Sequence, residues 1–396
     1  MSKLTKRQFL KMCAALGIML PLSPTLSSSD NTKKYAPKDK SNNTPSVIII
    51  GAGAAGLTTG YQLMQAGISC QILEAAPAFG GRMKQTTTFT DFPIPLGAEW
   101  LHTAKTELSH IINDPAIELT TQTRRYNQQD SYGYFEDGEL TTAHLGDFND
   151  LKFINSTWFS FFEQFIVPPL RPVMRFNTQI VNIDHQGNNI VVSDHKGNHY
   201  QADKVVITVP LKILQQGDIQ FIPALPASKI QAIQDAEVWG GIKVFLEFSE
   251  KFYPTFLETP DSETSRGQHA WYDAAYGQNT TTNILGLFAV GEQAKLYQAL
   301  SGDALRDSVL AELDEVFEGI PSQAYIKHIV QNWDEEPFIH SAYLSDVSAS
   351  HIPNTLYEPV GRRLFFAGDA YTPGDDWGAV HNATRAARAV VQEIIG

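Results

Sequence analysis

The chain of 396 residues is 43% apolar and carries a formal net charge of -13. That length and apolar content suffice for two ordinary cores and exclude a largely disordered chain. The acidic balance excludes a nucleic-acid partner and suits either a cationic ligand or simply a soluble surface.

The N-terminus reads as an address. The first 45 residues hold eight Lys or Arg against two acids, so the remainder is more acidic still. Thr5-Lys6-Arg7-Gln8-Phe9-Leu10-Lys11 precedes a short apolar run from 12 to 22 and then Ser27-Ser28-Ser29-Asp30. Residues 1–29 resemble a twin-arginine export signal, with Lys6 where the paired arginine is expected and no Ala-x-Ala site following. Export implies a periplasmic or secreted protein; the alternative is a frayed amphipathic tail on a cytoplasmic one. Residues 30–45, rich in Lys, Asn, Ser and Pro, read as a disordered linker. Two cysteines, Cys13 and Cys70, leave no intramolecular disulfide once that segment is removed. No apolar run reaches the length of about 18 residues that a membrane span needs.

Val47-Ile48-Ile49-Ile50 is short, β-branched and wholly apolar, as a central parallel strand covered on both faces should be. The turn Gly51-Ala52-Gly53-Ala54-Ala55-Gly56 follows at once. Gly51 permits the tight turn, Gly53 lets the backbone approach a pyrophosphate, and Gly56 lets the helix pack on the strand, while Ala54 and Ala55 open a helix whose N–H groups face the phosphates. That helix is predicted over 55–65 and ends at Gly67. A second strand over 69–73 delivers Glu74, with Ala75 beside it, where an acid hydrogen-bonds ribose hydroxyls. Strand, turn, helix, strand and acid in register define a dinucleotide-binding unit.

Gly80-Gly81-Arg82 and Leu96-Gly97-Ala98-Glu99-Trp100-Leu101-His102 come next. Together they resemble the flavin-containing amine oxidase family, the second segment being most similar to its polyamine and spermine oxidase branch. The resemblance implies that Gly80, Gly81 and Arg82 lie along the FAD pyrophosphate and flavin. It also implies that Gly97, Ala98, Glu99 and Trp100 line the flavin's reactive side and that His102 helps to set the substrate cavity. Residues 177–183 match an alternating strand in which the backbone of Val181 holds the adenine, and further strands are predicted at 190–193 and 200–209. Leu364-Phe365-Phe366-Ala367-Gly368-Asp369 matches the second FAD signature, placing Gly368 and Asp369 near the ribityl chain. A last helix over 379–395 aims Ala379 and Val380 at the flavin ring, where its positive end favours the anionic reduced flavin.

The chemistry implied by the family is hydride transfer from the carbon beside a neutral amine to flavin N5, with reoxidation by O2. Lys243 lies in the apolar run from Gly241 to Phe248. By itself it reads as a solvated residue of an edge strand; the resemblance makes it the lysine that holds a water against N5. Aligning Trp333-Asp334-Glu335-Glu336 through Ala342-Tyr343 places Tyr343 on one wall of an aromatic cage and Ala342 where monoamine oxidases carry their covalent cysteine, which implies noncovalent FAD. The second wall falls on Trp377 or Ala379, core packing being the alternative for both aromatics. Glu99, Asp273 and Glu292 are candidates to meet a distal ammonium. Phe153, Phe159, Phe161, Phe162 and Phe165 read as a buried aromatic face. His340, His381 and the remaining acids lack metal-ligand spacing, and no metal is predicted.

The expected architecture is α/β: a Rossmann-like FAD-binding domain of glutathione reductase type, built from 46–102, 173–213 and 330–396, with an inserted α+β substrate domain from 103–172 and 214–329. The expected function is a noncovalent-FAD amine oxidase acting on a small, polyamine-like primary or secondary amine with O2. An L-amino acid oxidase, with Arg171 or Arg175 for the carboxylate, and a flavin-binding partner protein without turnover of free amines are the alternatives.

Overall fold

Each apolar strand near the start of the chain divides its side chains between two cores. Val47 and Ile49 enter one, Ile48 and Ile50 the other, as the two-residue period of a strand requires. The computed structural model describes residues 44–259, 263–264, 266–345, 348–374 and 376–396. The candidate export signal and nearly all of the linker lie outside the described residues.

Val47–Ile50 is the middle strand of a five-stranded parallel sheet in the order Met174–Arg175, Cys70–Leu73, Val47–Ile50, Lys204–Ile207, Leu364–Phe366. The helices Ala54–Gln65 and Val380–Ile395 cover one face. A four-stranded sheet containing Ile180–Asp184 and Ile190–Asp194 covers the other, together with the helices Leu211–Gln216 and Ala227–Asp235. The parallel sheet is thus covered on both faces, by helices on one and by a small sheet with two short helices on the other, as a Rossmann-like dinucleotide-binding unit requires.

The second half is built on an antiparallel sheet running Tyr325–Asn332, Gly241–Phe248, Asn283–Gly291, Gly267–Asp273 and Phe256–Glu258, the last pairing in parallel with the hairpin Ser131–Glu136 and Glu139–His144. The helix Gly302–Val316 packs on one face. The opposite face carries an aromatic cluster that includes Phe245, Tyr272 and Trp100.

The domain boundaries need correction. The helix Leu211–Gln216 runs across the expected break at 213, and Gln220–Ile222 pairs with Ile180–Asp184, so the segment through Asp235 packs with the dinucleotide half. The helix Trp158–Phe165 also belongs there, because Phe161 and Phe162 are fully buried against the helix Ala54–Gln65 side of the sheet. Conversely, Tyr325–Asn332 pairs with Gly241–Phe248, which keeps 330–332 in the substrate half. The strand expected over 200–209 is two: His199–Ala202 is the edge of the four-stranded sheet, pairing with Ile190–Asp194, and Lys204–Ile207 enters the parallel one. The chain changes sheet at Asp203, whose carboxylate accepts from the Ser46 N–H and hydroxyl, each at 2.7 Å.

Candidate active site

A cavity of about 630 Å³ runs from the carboxyl ends of the parallel strands to the inner face of the large antiparallel sheet. Gly51, Gly53, Ala54, Ala55, Glu74, Ala75, Gly80, Gly81, Arg82, Gly97, Ala98, Glu99, Trp100, His102, Lys243, Tyr343, Gly368, Asp369, Trp377, Ala379 and Val380 all line it. Gly56 and Val181 do not.

At the nucleotide end the backbone sets the shape. Gly51 has φ +107°, open to glycine alone at low cost, and a Cβ on Gly56 would sit 2.0 Å from the Gly51 carbonyl oxygen. Gly56 therefore acts behind the turn, bringing the helix against it. A Cβ on Gly53 would meet nothing within 4 Å, so its backbone is bare to the cavity, as approach of a pyrophosphate requires. Glu74 accepts the N–H groups of Ala52 at 2.5 Å and Ala76 at 2.8 Å. Burial pushes its pKa up, against these backbone donors. Thr178, Gln179 and Ile180 form the adjoining wall. Val181 is the residue skipped at the register shift between Ile180 and Asn182, off the wall itself.

Gly97 locks the middle of the cavity. A Cβ there would lie 1.8 Å from the Arg82 carbonyl oxygen, which accepts the Ala98 N–H at 3.0 Å. Arg82, which lines the cavity beside Gly80 and Gly81, is also held by its own protein partners. Its guanidinium forms a two-point pair with Asp369, one bond being 2.9 Å, and also donates to the Ala342 carbonyl. Arg82 and Asp369 therefore present a neutral, fixed pair to the cavity. The ring of Phe159, stacked on Phe79 with centroids 4.8 Å apart, closes over Gly80 and extends the nucleotide channel.

At the far end, Lys243 is not on an edge. It lies in a central strand, opposite Phe288 on one side and Gln331 on the other, and its side chain is 4% exposed. Lys243 Nζ donates to Glu99 Oε2 at 2.7 Å and to the Pro95 carbonyl at 3.4 Å, over the rings of Trp100, Phe245 and Tyr272. Burial lowers its pKa, with Glu99 opposing and Lys152 adding to the fall. Glu99 accepts from Lys152 at 2.5 Å through its other oxygen and from the Tyr272 hydroxyl. Burial disfavours its charge, yet the two lysines outweigh this and hold the carboxyl below its usual range. Glu99 is thus committed inside the wall and is not a site for a distal ammonium. Asp273 pairs with Lys251 at 2.5 Å and Glu292 with Arg266 at 3.3 Å, both away from the cavity.

Tyr343 lines the cavity from a short strand paired with Val238–Trp239, and its hydroxyl accepts from Gln268 at 3.4 Å. Trp377 lies at the cavity edge but is anchored elsewhere: its indole N–H donates to the Ser345 carbonyl at 3.0 Å and its ring packs on the second core. The anchored indole and the core contacts fit the core reading of Trp377. The N–H of Ala379 donates to the Asn382 side chain at 3.1 Å, and Val380 begins the last helix with its positive end toward the cavity. His102 Nδ1 donates to the Asp150 carboxylate at 2.8 Å. Burial alone would lower its pKa; Asp150, with Asp376 behind it, overrides that and raises it.

Sequence reasoning missed Lys152 and Tyr272, which bond Glu99 beside Lys243, and Asp150, which bonds His102. The only available signal was a lone charge in an apolar strand, Lys152 between Leu151 and Phe153. Among the described residues no group of three or more His, Cys, Asp or Glu is placed to hold a metal, and no helix is long and apolar enough to cross a membrane.

Residues 54–171 and 163–395 match the family of flavin containing amine oxidoreductases. The chain is 25% identical over 434 residues to probable polyamine oxidase 4 of Arabidopsis thaliana, covering 87% of this chain and 86% of that protein. It is 25% identical over 423 residues to lysine-specific histone demethylase 2 of Homo sapiens, covering 84% of this chain and 51% of that one. A solved structure of putrescine oxidase bound to putrescine superimposes with a TM-score of 0.74 at 16% identity, over 89% of this chain and 99% of the other. Fold and cavity together define a flavin-dependent oxidoreductase. The chain belongs to the flavin containing amine oxidoreductase family, its cofactor is FAD, and it acts on CH–NH groups.

Proposed function

We propose that the protein oxidises a small primary or secondary amine, polyamine-like as the names of its relatives suggest, and passes the electrons to O2 to give hydrogen peroxide. The observation that carries this reading is the buried Lys243, facing a cavity continuous with the glycine cradle. When bound, FAD supplies the acceptor for a hydride leaving the carbon next to the amine.

The protein's residues do the rest. Gly51, Gly53 and the helix that begins at Ala54 receive the pyrophosphate, and Glu74 faces the ribose. Ala342 offers no nucleophile, which supports noncovalent attachment. Trp100, Phe288 and Tyr343 give the amine an apolar wall, whose poor solvation favours the neutral amine needed for hydride loss. Lys243 holds a water or donates a proton at the oxygen step, a role suited to a lysine with a lowered pKa.

An L-amino acid oxidase would need a cation for the carboxylate. Arg171 and Arg175 are exposed and do not line the cavity, and Arg82 is committed to Asp369. The test is to add polyamines, monoamines and amino acids anaerobically to the purified holoprotein and follow flavin absorbance at about 450 nm. Bleaching by amines is expected; bleaching by amino acids alone, or by nothing in the panel, contradicts the proposal in favour of the amino acid oxidase or the non-catalytic flavin protein, respectively. Export through residues 1–29 is part of the same reading. Fractionation of expressing cells should recover the mature protein outside the cytoplasm, and retention of the full-length chain inside contradicts it.

A further inference from the structure

Behind Lys243 the wall holds a second lysine and one shared carboxylate. Side-chain exposures are 4% for Lys243, 1% for Glu99 and 3% for Lys152. Lys152 is on the strand Leu151–Ile154, directly opposite Trp100, so strand pairing fixes it beside Glu99. Two ammonium groups on one carboxylate leave an excess positive charge in a poorly solvated place, and the cheapest relief is loss of a proton from one lysine. The positions of the three groups are not equivalent. Lys243 lines the large cavity and Lys152 does not, whereas Lys152 lines a small separate pocket and Lys243 does not. Glu99 lines both. The small pocket, about 10 Å³, is close to the room one water needs, and the half-buried polar side chains Ser156 and Gln278 lie on its wall.

We propose that Lys152, Glu99 and Lys243 form a proton relay that supplies the oxygen step from the small pocket, on the side of the wall away from the cofactor. The inference rests on the amine oxidase reading above. Reduction of O2 to hydrogen peroxide takes two electrons and two protons. Bound FAD, once reduced, would supply the two electrons with one hydrogen; the other proton must come from the protein. An N–H bond of the Lys243 ammonium breaks as the O–H bond of peroxide forms. The resulting amine is reprotonated through Glu99 as Lys152 gives up its proton to the other carboxylate oxygen, and Lys152 is recharged from solvent through a water in the small pocket, so that one solvent proton is consumed for each peroxide formed. With FAD held in the large cavity, the small pocket would give Lys243 a second route to protons, through Glu99 and Lys152.

The other groups packed on Lys243 do not compete. Phe288 and Gln331 flank it on the neighbouring strands, and Trp100 and Phe245 present rings. Tyr272 donates to Glu99, and Tyr126, bonded by the Trp100 indole at 2.9 Å, lies beyond. Burial pushes both phenols well above their ordinary range, with the Glu99 charge adding to it, so they stay protonated. Lys152 and Glu99 are accordingly positioning and proton-transfer residues that act through Lys243.

The test uses the holoenzyme with Lys152→Arg and Lys152→Met, measuring anaerobic reduction by amine and reoxidation by O2 separately across pH. Arginine keeps the ion pair but does not release a proton, so a merely structural role would be rescued by Lys152→Arg. The relay instead predicts that both variants reduce at a rate close to the parent and reoxidise at least about tenfold more slowly. If Lys152→Met does not retain its fold, Lys152→Arg alone decides. A second readout uses the apoprotein with 13C-methylated lysines. By NMR, Lys243 should titrate at higher pH in Lys152→Met, where a like charge is gone, and at lower pH in Glu99→Gln, where its counter-charge is gone. Parental reoxidation in Lys152→Arg, or a Lys243 titration unmoved by both changes, overturns the relay. If Lys243→Met also reoxidises at the parental rate, the fault lies with the assigned role of Lys243; if only the Lys152 variants are parental, it lies with the relay.

Discussion

The two ends of the cavity are made from different materials. The nucleotide end and the middle are shaped by backbone: Gly51, Gly56 and Gly97 allow approaches that no other residue permits, and beside the Glu74 carboxylate the polar groups at the nucleotide end are main-chain N–H groups and a helix end. The reactive end is side chain: Glu99, Lys152, Lys243 and Tyr272 come from four separate segments and hold one another by charge and hydrogen bonds in a screened wall. Sterics fix the first, and a substitution there should fail by geometry. Electrostatics fix the second, and a substitution there should fail by leaving a charge uncompensated.

That contrast is open to breaking. The largest effect is expected for Gly97→Ala and Gly56→Ala, whose new Cβ atoms would fall 1.8 and 2.0 Å from backbone oxygens. Each should cost more than about 4 kcal/mol or abolish soluble holoprotein. Gly53→Ala, which meets nothing within 4 Å, should fold and lose only flavin affinity. Thermal unfolding and flavin content check this, and equal tolerance at the three glycines would contradict it.

Next in size is Glu99→Gln, expected to cost about 3–5 kcal/mol because two buried ammonium groups lose their counter-charge. Adding Lys152→Met should recover part of that loss by removing the excess cation. Denaturant unfolding of the single and double variants decides, and simple additivity would argue that the wall is held by packing rather than by charge.

The smallest effect concerns His102. Its folded-state pKa is raised, so the native protein binds the extra proton and the His102–Asp150 pair stabilises fully below the unfolded pKa of about 6.5. That contribution should fade as pH rises through the folded pKa, by up to about 1.4 kcal/mol for every pH unit that separates the folded value from the unfolded one. His102→Gln should flatten the fall in melting temperature over this interval; an unchanged profile would contradict the pairing.

The same contrast explains what the sequence revealed. The strand, turn, helix and acid from Val47 to Glu74 are contiguous, and each glycine has a local steric reason, so that unit was legible residue by residue. Lys243 was legible only through family resemblance, since an isolated lysine in an apolar strand reads as solvated. Its true surroundings depend on the pairing of Leu151–Ile154 with Trp100–Leu101, a contact no local pattern announces. Glu99 was read as a ligand for a distal ammonium for the same reason: a sequence displays a carboxylate but not the two lysines that already occupy it. The domain boundaries failed where one helix, Leu211–Gln216, bridges segments that hydrophobic patterning treats as separate.

The most direct test of the lysine wall's purpose is a stopped-flow comparison of the two half-reactions in the parent and in Lys243→Met. Reduction by amine should change little, whereas reoxidation by O2 should slow by about 10²-fold, the low end of what a positioned proton donor contributes. An oxygen rate equal to that of the parent would contradict the role assigned to Lys243.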